Sequence, residues 1–165
     1  MKRWCVMLLV AGTGLLQAEP PDIEYIFPAG GQRGTTVPVR VGGYYFHGQA
    51  NFEMLGAGVK FKTQIDRVQT VWFEGPLIYQ PLSQQGENYP KDHGNEITVT
   101  SDAKLGDRFW RCWTSQGATK VLKFVIGDLP EVIEKEIDGQ PLPQEVALPV
   151  TVNGRIFPRE DVDIW

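Results

Sequence analysis

Ile26-Phe27-Pro28-Ala29-Gly30-Gly31-Gln32-Arg33-Gly34-Thr35-Thr36-Val37-Pro38-Val39-Arg40-Val41-Gly42-Gly43 is the stretch that decides the fold: a short apolar run, a glycine-rich turn, an alternating strand and a second glycine pair. Val37, Val39 and Val41 fall on one face and Thr36, Pro38 and Arg40 on the other, the period of two of a half-buried strand. Pro38 has no amide hydrogen, which predicts that this strand lies at a sheet edge or a bulge. Gly30-Gly31 and Gly42-Gly43 read as turn residues, because glycine tolerates the positive φ that tight turns demand. The stretch reads as the first hairpin of an antiparallel sheet.

The same grammar continues along the chain. Phe52 to Leu55, Val59 to Phe61 and Val68 to Phe73 predict three short strands separated by Gly56, Gly58 and Gly75. Gly75 to Gly94, broken by Pro76, Pro81, Gly86 and Pro90, has few apolar residues and no period, so it reads as a long surface loop, the kind of segment that carries binding function. Glu96 to Thr100 and Arg108 to Thr114 alternate again, Ser115-Gln116-Gly117-Ala118 closes a hairpin, and Lys120 to Ile126 is the last strand. No segment calls for a helix, and the expected class is all-β.

Two stretches carry a resemblance that refines this class. Pro21-x-Ile23-x-x-Ile26-x-Pro28-x-Gly30-x-x-Gly34-Thr35-x-Val37-x-Val39-x-Val41-Gly42-Gly43 resembles the opening of an IPT/TIG domain. Asp102-Ala103-x-x-Gly106, leading into an aromatic strand, resembles the turn between the fifth and sixth strands of immunoglobulin-like domains. Both imply an immunoglobulin-like antiparallel β-sandwich over residues 19–127.

Composition fits a turn-rich β protein: 165 residues hold 18 glycines and 12 prolines with 11% aromatic residues, and 22% charged is too ordinary for a disordered chain. Lys2 and Arg3 precede the apolar Trp4 to Leu16, and Gln17-Ala18 precede Glu19-Pro20-Pro21, the three regions of a secretory signal peptide over residues 1–18. Its apolar core of about 13 residues falls short of the roughly 20 needed to span a bilayer, so no membrane span is expected after cleavage. The expected location is exported: periplasm, cell surface or extracellular space. Cleavage would remove two of 16 basic residues and leave 14 against 20 acidic ones, a net charge of −6. With no basic stripe, nucleic-acid binding is not expected. Cys5 would leave with the signal, so Cys112 could form no internal disulfide; within Phe109-Trp110-Arg111-Cys112-Trp113 it reads as a buried strand residue.

From Gly127 the composition shifts. Residues 128–148 are acidic and punctuated by Pro130, Pro141 and Pro143, and read as a linker. Residues 149–165 begin a new strand and turn. Leu148-Pro149-Val150-Thr151-Val152-Asn153-Gly154-x-Ile156, followed by Asp161-Val162-Asp163, is similar to the start of the bacterial pre-peptidase C-terminal domain. In combination the segments resemble secreted planctomycete-type proteins that join an immunoglobulin-like module to such a domain, here truncated. The tail is expected to be mobile, because its apolar residues lack a sheet to pack on.

Chemistry is sparse. Thr114-Ser115-Gln116-Gly117-Ala118 resembles the nucleophile segment of subtilisin-like proteases, and Asp92-His93 completes a triad on paper, but a β-patterned stretch follows Ser115 where a subtilisin nucleophile opens a helix. His47 and His93 are the only histidines and lie at no metal-ligand spacing, so both read as surface residues. Asp161 and Asp163 are candidate Ca²⁺ ligands, which the second resemblance also implies. Tyr44-Tyr45-Phe46-His47 is either a ligand platform or a plug for the end of the core. The candidate binding residues are Tyr44, Tyr45 and Trp72, since stacking on a sugar or a partner protein needs open ring faces. The function these observations imply is an exported, non-catalytic module that binds a protein or a glycan; the alternative is the amino-terminal accessory region of a secreted peptidase, or a truncated relative of one.

Overall fold

The computed structural model describes residues 19–69, 91–137 and 140–154. The expected signal segment, Trp72 and the rest of 70–90, and Asp161 and Asp163 lie outside the described residues. Every regular element described is a strand, and no helix among them is long and apolar enough to cross a membrane.

The sandwich is built from β1 (Asp22–Phe27), β2 (Gly30–Gln32), β3 (Thr36–Tyr44), β4 (Gln49–Leu55), β5 (Val59–Lys60), β6 (Gln64–Arg67), β7 (Lys91–Val99), β8 (Gly106–Thr114), β9 (Gly117–Ala118) and β10 (Leu122–Gly127). They pair in the order β1-β3-β7-β6-β4-β8-β10-β2, with β5 on β7 and β9 on β8. β6 bridges the β1-β3-β7 half to the β4-β8-β10-β2 half, and the two halves share one core. Ile26, Val41, Ile97 and Val99 come from the first half and Phe52, Trp110, Cys112, Phe124 and Ile126 from the second. The alternation that predicted β3 and β8 is the alternation that fills this core: Val39 and Val41, then Trp110 and Cys112, are all buried. Trp110 stacks on Phe52 with ring centroids 5.7 Å apart and donates its indole N–H to the Lys123 carbonyl at 3.2 Å. Its large apolar surface is thus buried without an orphaned donor.

The expected hairpin is a β1–β3 pair, with Ile26 opposite Val41 and Phe27 opposite Arg40. β1 has ended by Arg40, so the side of Pro38 away from its β7 partner Glu96 has no ladder to break. β2 leaves β1 and pairs in parallel with β10, which makes the sheet mixed where a purely antiparallel one was expected.

Three local readings are corrected. Gly30, Gly31, Gly42 and Gly43 lie in strands and none has positive φ; that conformation falls to Gly34 in the first turn and to Tyr45 and His47 in the second. Of the strand expected over Val68 to Phe73, Val68 and Gln69 are not strand and the rest lies outside the described residues; the strand observed just before it is β6, Gln64–Arg67. The surface loop read as reaching Gly94 gives way to β7 at Lys91, and Asp92 and His93 are fully buried.

Beyond the sandwich, β11 (Glu131–Ile133) pairs in parallel with β14 (Thr151–Asn153), and β12 (Glu136–Ile137) pairs antiparallel with β13 (Gln140–Pro141). Asp128 is held to the turn after β2 by an ion pair with Arg33 at 2.7 Å. Glu131, Ile133 and Asn153 face Pro28, Val37 and Pro38 across an open groove, with Ile133 44% and Val152 38% exposed.

Candidate functional site

The end of the sandwich where β3 runs into β4 carries the most chemistry. β3 delivers Tyr44, and a left-handed backbone at Tyr45 (φ 59°) and His47 (φ 57°) folds the chain back within Gly48. Side chains rarely adopt that conformation, and it costs about 1–2 kcal/mol per residue. The turn is pinned by the Arg67 amide, which donates to the Gly48 carbonyl at 2.9 Å. The plug and the exposed rings are divided residue by residue. Phe46 is 2% exposed and closes the core, whereas Tyr45 is 39% exposed and Tyr44 half-buried. The two tyrosine rings stand 6.3 Å apart, tilted by 42°.

Gly42 and Gly43 make this end possible by close approach. A Cβ on Gly42 would sit 2.2 Å from the Tyr25 ring, and one on Gly43 would sit 2.6 Å from the Phe46 ring. Both rings therefore lie flat over β3 where other residues would expel them. With its ring there, Tyr25 donates its hydroxyl to Asp92 at 2.5 Å, and the same carboxylate accepts Arg40 Nη1 at 2.9 Å. A fully buried carboxylate is tolerable only with such partners.

His93, the next residue, is equally buried but differently served. Its Nδ1 lies 3.2 Å from the Lys91 carbonyl. A carbonyl only accepts, so Nδ1 carries the proton and Nε2 of the neutral ring is an acceptor. Nε2 has no hydrogen-bond partner among the described residues. Burial pushes the His93 pKa below its ordinary 6.5, and the Arg67 charge acts the same way; the Lys91 carbonyl, the His47 backbone and Asp92 oppose them. The ring is therefore neutral at pH 7. It meets the Phe46 ring edge to face at 5.1 Å.

These residues line a cleft of about 150 Å³ bounded by Tyr44, Tyr45, Phe46, His47, Arg67, Lys91 and His93. β6 and β7 bring Arg67 opposite His93, and β3 and β7 bring Gly43 opposite Lys91. Of the expected binding residues, Tyr44 and Tyr45 come together here, and Trp72 lies outside the described residues. His93, read from the sequence as a surface residue, is the cleft's buried floor.

The triad on paper does not assemble. Ser115 donates its hydroxyl to Gln116 at 2.6 Å, Asp92 is engaged by Tyr25 and Arg40, and His93 Nδ1 by Lys91. Cys112 is buried as expected, its amide donating to Thr119 Oγ1 at 3.1 Å, and burial pushes its thiol up to about 12, far from a nucleophile. Among the described residues no three His, Cys, Asp or Glu side chains gather as a metal site, and the Ca²⁺ candidates Asp161 and Asp163 lie outside them.

No protein-family model and no curated protein matches the chain. Among solved structures, the SrpA adhesin of Streptococcus sanguinis is similar at 17% identity and a TM-score of 0.37, covering 66% of this chain and 56% of that one. An arginine-to-glutamate mutant of that adhesin is similar at 15% identity and the same TM-score, covering 66% and 58%. The chain thus spans less than two thirds of either, and likenesses this slight carry no argument here.

Proposed function

We propose that the chain is an exported, non-catalytic, immunoglobulin-like module of the IPT/TIG type that binds a glycan or protein partner at the β3–β4 end. The observation that carries this reading is the half-open Tyr44–Tyr45 pair beside a cleft whose floor, His93 Nε2, is a buried acceptor with no partner among the described residues. Native interiors seldom leave such an atom without a reason, and a ligand hydroxyl or amide would supply one. Residues 19–127 form the binding sandwich in this reading, with 128–148 a linker and 149–165 the start of a second domain. Trp72 is a further platform residue in the same reading.

Probing an array of immobilised neutral and acidic glycans with the full chain tests it. Binding that falls at least several-fold in Tyr45→Ala, with the fold intact by circular dichroism, is the expected result. Binding equal in Tyr44→Ala, Tyr45→Ala and wild type would overturn the site, and a wild type that binds no array glycan would overturn the glycan reading.

A further inference from the structure

β8 turns one face to the core and the other to solvent, and the outward face is apolar at its centre. Phe109 stands there, with Leu55 of β4 directly opposite on one side and Lys123 of β10 directly opposite on the other. Val121 and Val125 lie two positions either side of Lys123 and so sit diagonal to Phe109, within reach of its ring. Leu55, Phe109, Val121 and Val125 are each between 43% and 52% exposed. Apolar residues scattered singly over a surface are ordinary, whereas a contiguous set on one sheet face marks a contact surface.

Two ion pairs flank this centre. Arg111 donates Nε to Glu53 across β8 and β4, and Lys123 pairs with Asp107 at 2.7 Å across β8 and β10. The face therefore carries two charges of each sign on a chain whose net charge is −4. A strongly basic or acidic partner would call for a face of one sign; a balanced face fits a copy of itself. A two-fold axis makes that copy fit. Set over Phe109, across the strands and in the plane of contact, the axis reverses the strand direction of the second copy. Phe109 then meets the partner's Phe109, Leu55 the partner's Leu55 and Val125 the partner's Val121. Asp107, two positions before Phe109, meets the partner's Arg111, two positions after it. Arg111 spends only Nε on Glu53, so its two terminal nitrogens remain for that second carboxylate.

We propose that two copies of this chain stack the outer faces of β4, β8 and β10 against each other, strands reversed, as a weak two-fold dimer. Aligned sheets pack about 10 Å apart, a gap that facing side chains of this size fill. Three strands about 4.8 Å apart, over five residues of about 3.4 Å each, cover roughly 250 Å². Stable complexes bury about 800 Å² per partner, so the expected dissociation constant is on the order of 10–100 µM. The Tyr44–Tyr45 cleft lies at the other end of β4, and the dimer leaves both clefts open.

Sedimentation equilibrium of the full chain, from about 5 µM to about 500 µM, tests it. A reversible dimer is expected, weakened at least tenfold in Phe109→Ser with the fold intact by circular dichroism. Asp107→Arg and Arg111→Asp each set like charges against each other across the axis, so each should be monomeric alone. Mixed in equal amounts the two variants should dimerise again, because the mixed pair restores both contacts. A wild type that stays monomeric throughout would overturn the proposal, and Phe109-dependent binding of that monomer to phosphatidylcholine vesicles would assign the face to a lipid surface instead. Association indifferent to Phe109 and to both charges would place the interface elsewhere and overturn it too. Single charge variants that dimerise like wild type, or a mixture that stays monomeric, would overturn the reversed register.

Discussion

Arg108 and His93 are buried to a similar degree at different places in the sandwich, and the fold accounts for them in opposite ways. Arg108, 7% exposed at the start of β8, donates Nε to the Ala57 carbonyl at 3.0 Å, Nη1 to Asp107 at 3.1 Å and Nη2 to Lys104 at 2.8 Å. It staples the β4–β5 turn to the β7–β8 corner, and all three of its nitrogens are engaged. His93, fully buried in β7, has one nitrogen engaged and the other directed at no partner among the described residues. Burial alone does not separate a polar group that serves the fold with all its atoms from one that does so with half of them; the hydrogen-bond account does.

The largest effect that would break this comparison belongs to Arg108. Arg108→Met should cost about 3 kcal/mol, because three carbonyls lose their donor at once, and the melting temperature should fall by roughly 10–20 °C. His93→Phe keeps the ring's size and its contact with Phe46 and removes a single hydrogen bond, so its cost should be about 1 kcal/mol, while binding at the cleft is lost. Equal destabilisation by the two substitutions, read from urea midpoints, would end the distinction.

The pH dependence sharpens it. Because burial holds the folded pKa of His93 below its ordinary 6.5, the unfolded chain binds a proton between the two values that the folded chain does not. Stability from this group is complete above about pH 6.5 and is lost as pH falls through 6.5, levelling off below the folded value. His93→Phe should remove that component from a plot of stability against pH; an unchanged slope between pH 7 and 5 would assign it elsewhere. Tyr45→Gly relieves a left-handed backbone and should leave stability unchanged or raise it by about 1 kcal/mol, with binding weakened. Ending the chain at Gly127 should shift the melting temperature by no more than a few degrees, since Ile133 and Val152 remain so exposed in the segment removed.

What was legible in the sequence follows from where burial is apolar. Val37, Val39 and Val41, and the Phe109–Trp113 run, announce their strands because one face needs apolar side chains, and the Asp102-Ala103-x-x-Gly106 corner turns as its spacing implies, with Ala103 2% exposed. Lys91-Asp92-His93-Gly94 has no apolar period, because its burial is served by hydrogen bonds from Tyr25 and Arg40 and by the Lys91 carbonyl, which periodicity does not register. One signal pointed to it. β3 pairs over eight positions from Thr36 to Gly43, so its partner must extend from Thr98 back to Lys91. The division of Tyr44-Tyr45-Phe46 into exposed and buried rings was not legible, since it depends on a left-handed backbone at Tyr45 and His47 that neither residue type suggests.

The central claim is that β7 presents a buried, neutral imidazole with an unengaged acceptor to the Tyr44–Tyr45 cleft. A long-range ¹H–¹⁵N spectrum of the histidine side chains in the ligand-free chain at pH 7 tests it most directly. The account predicts that His93 is the neutral tautomer protonated at Nδ1, with an Nε2 resonance typical of an acceptor that receives no hydrogen bond. A charged ring, or a proton on Nε2, would contradict it.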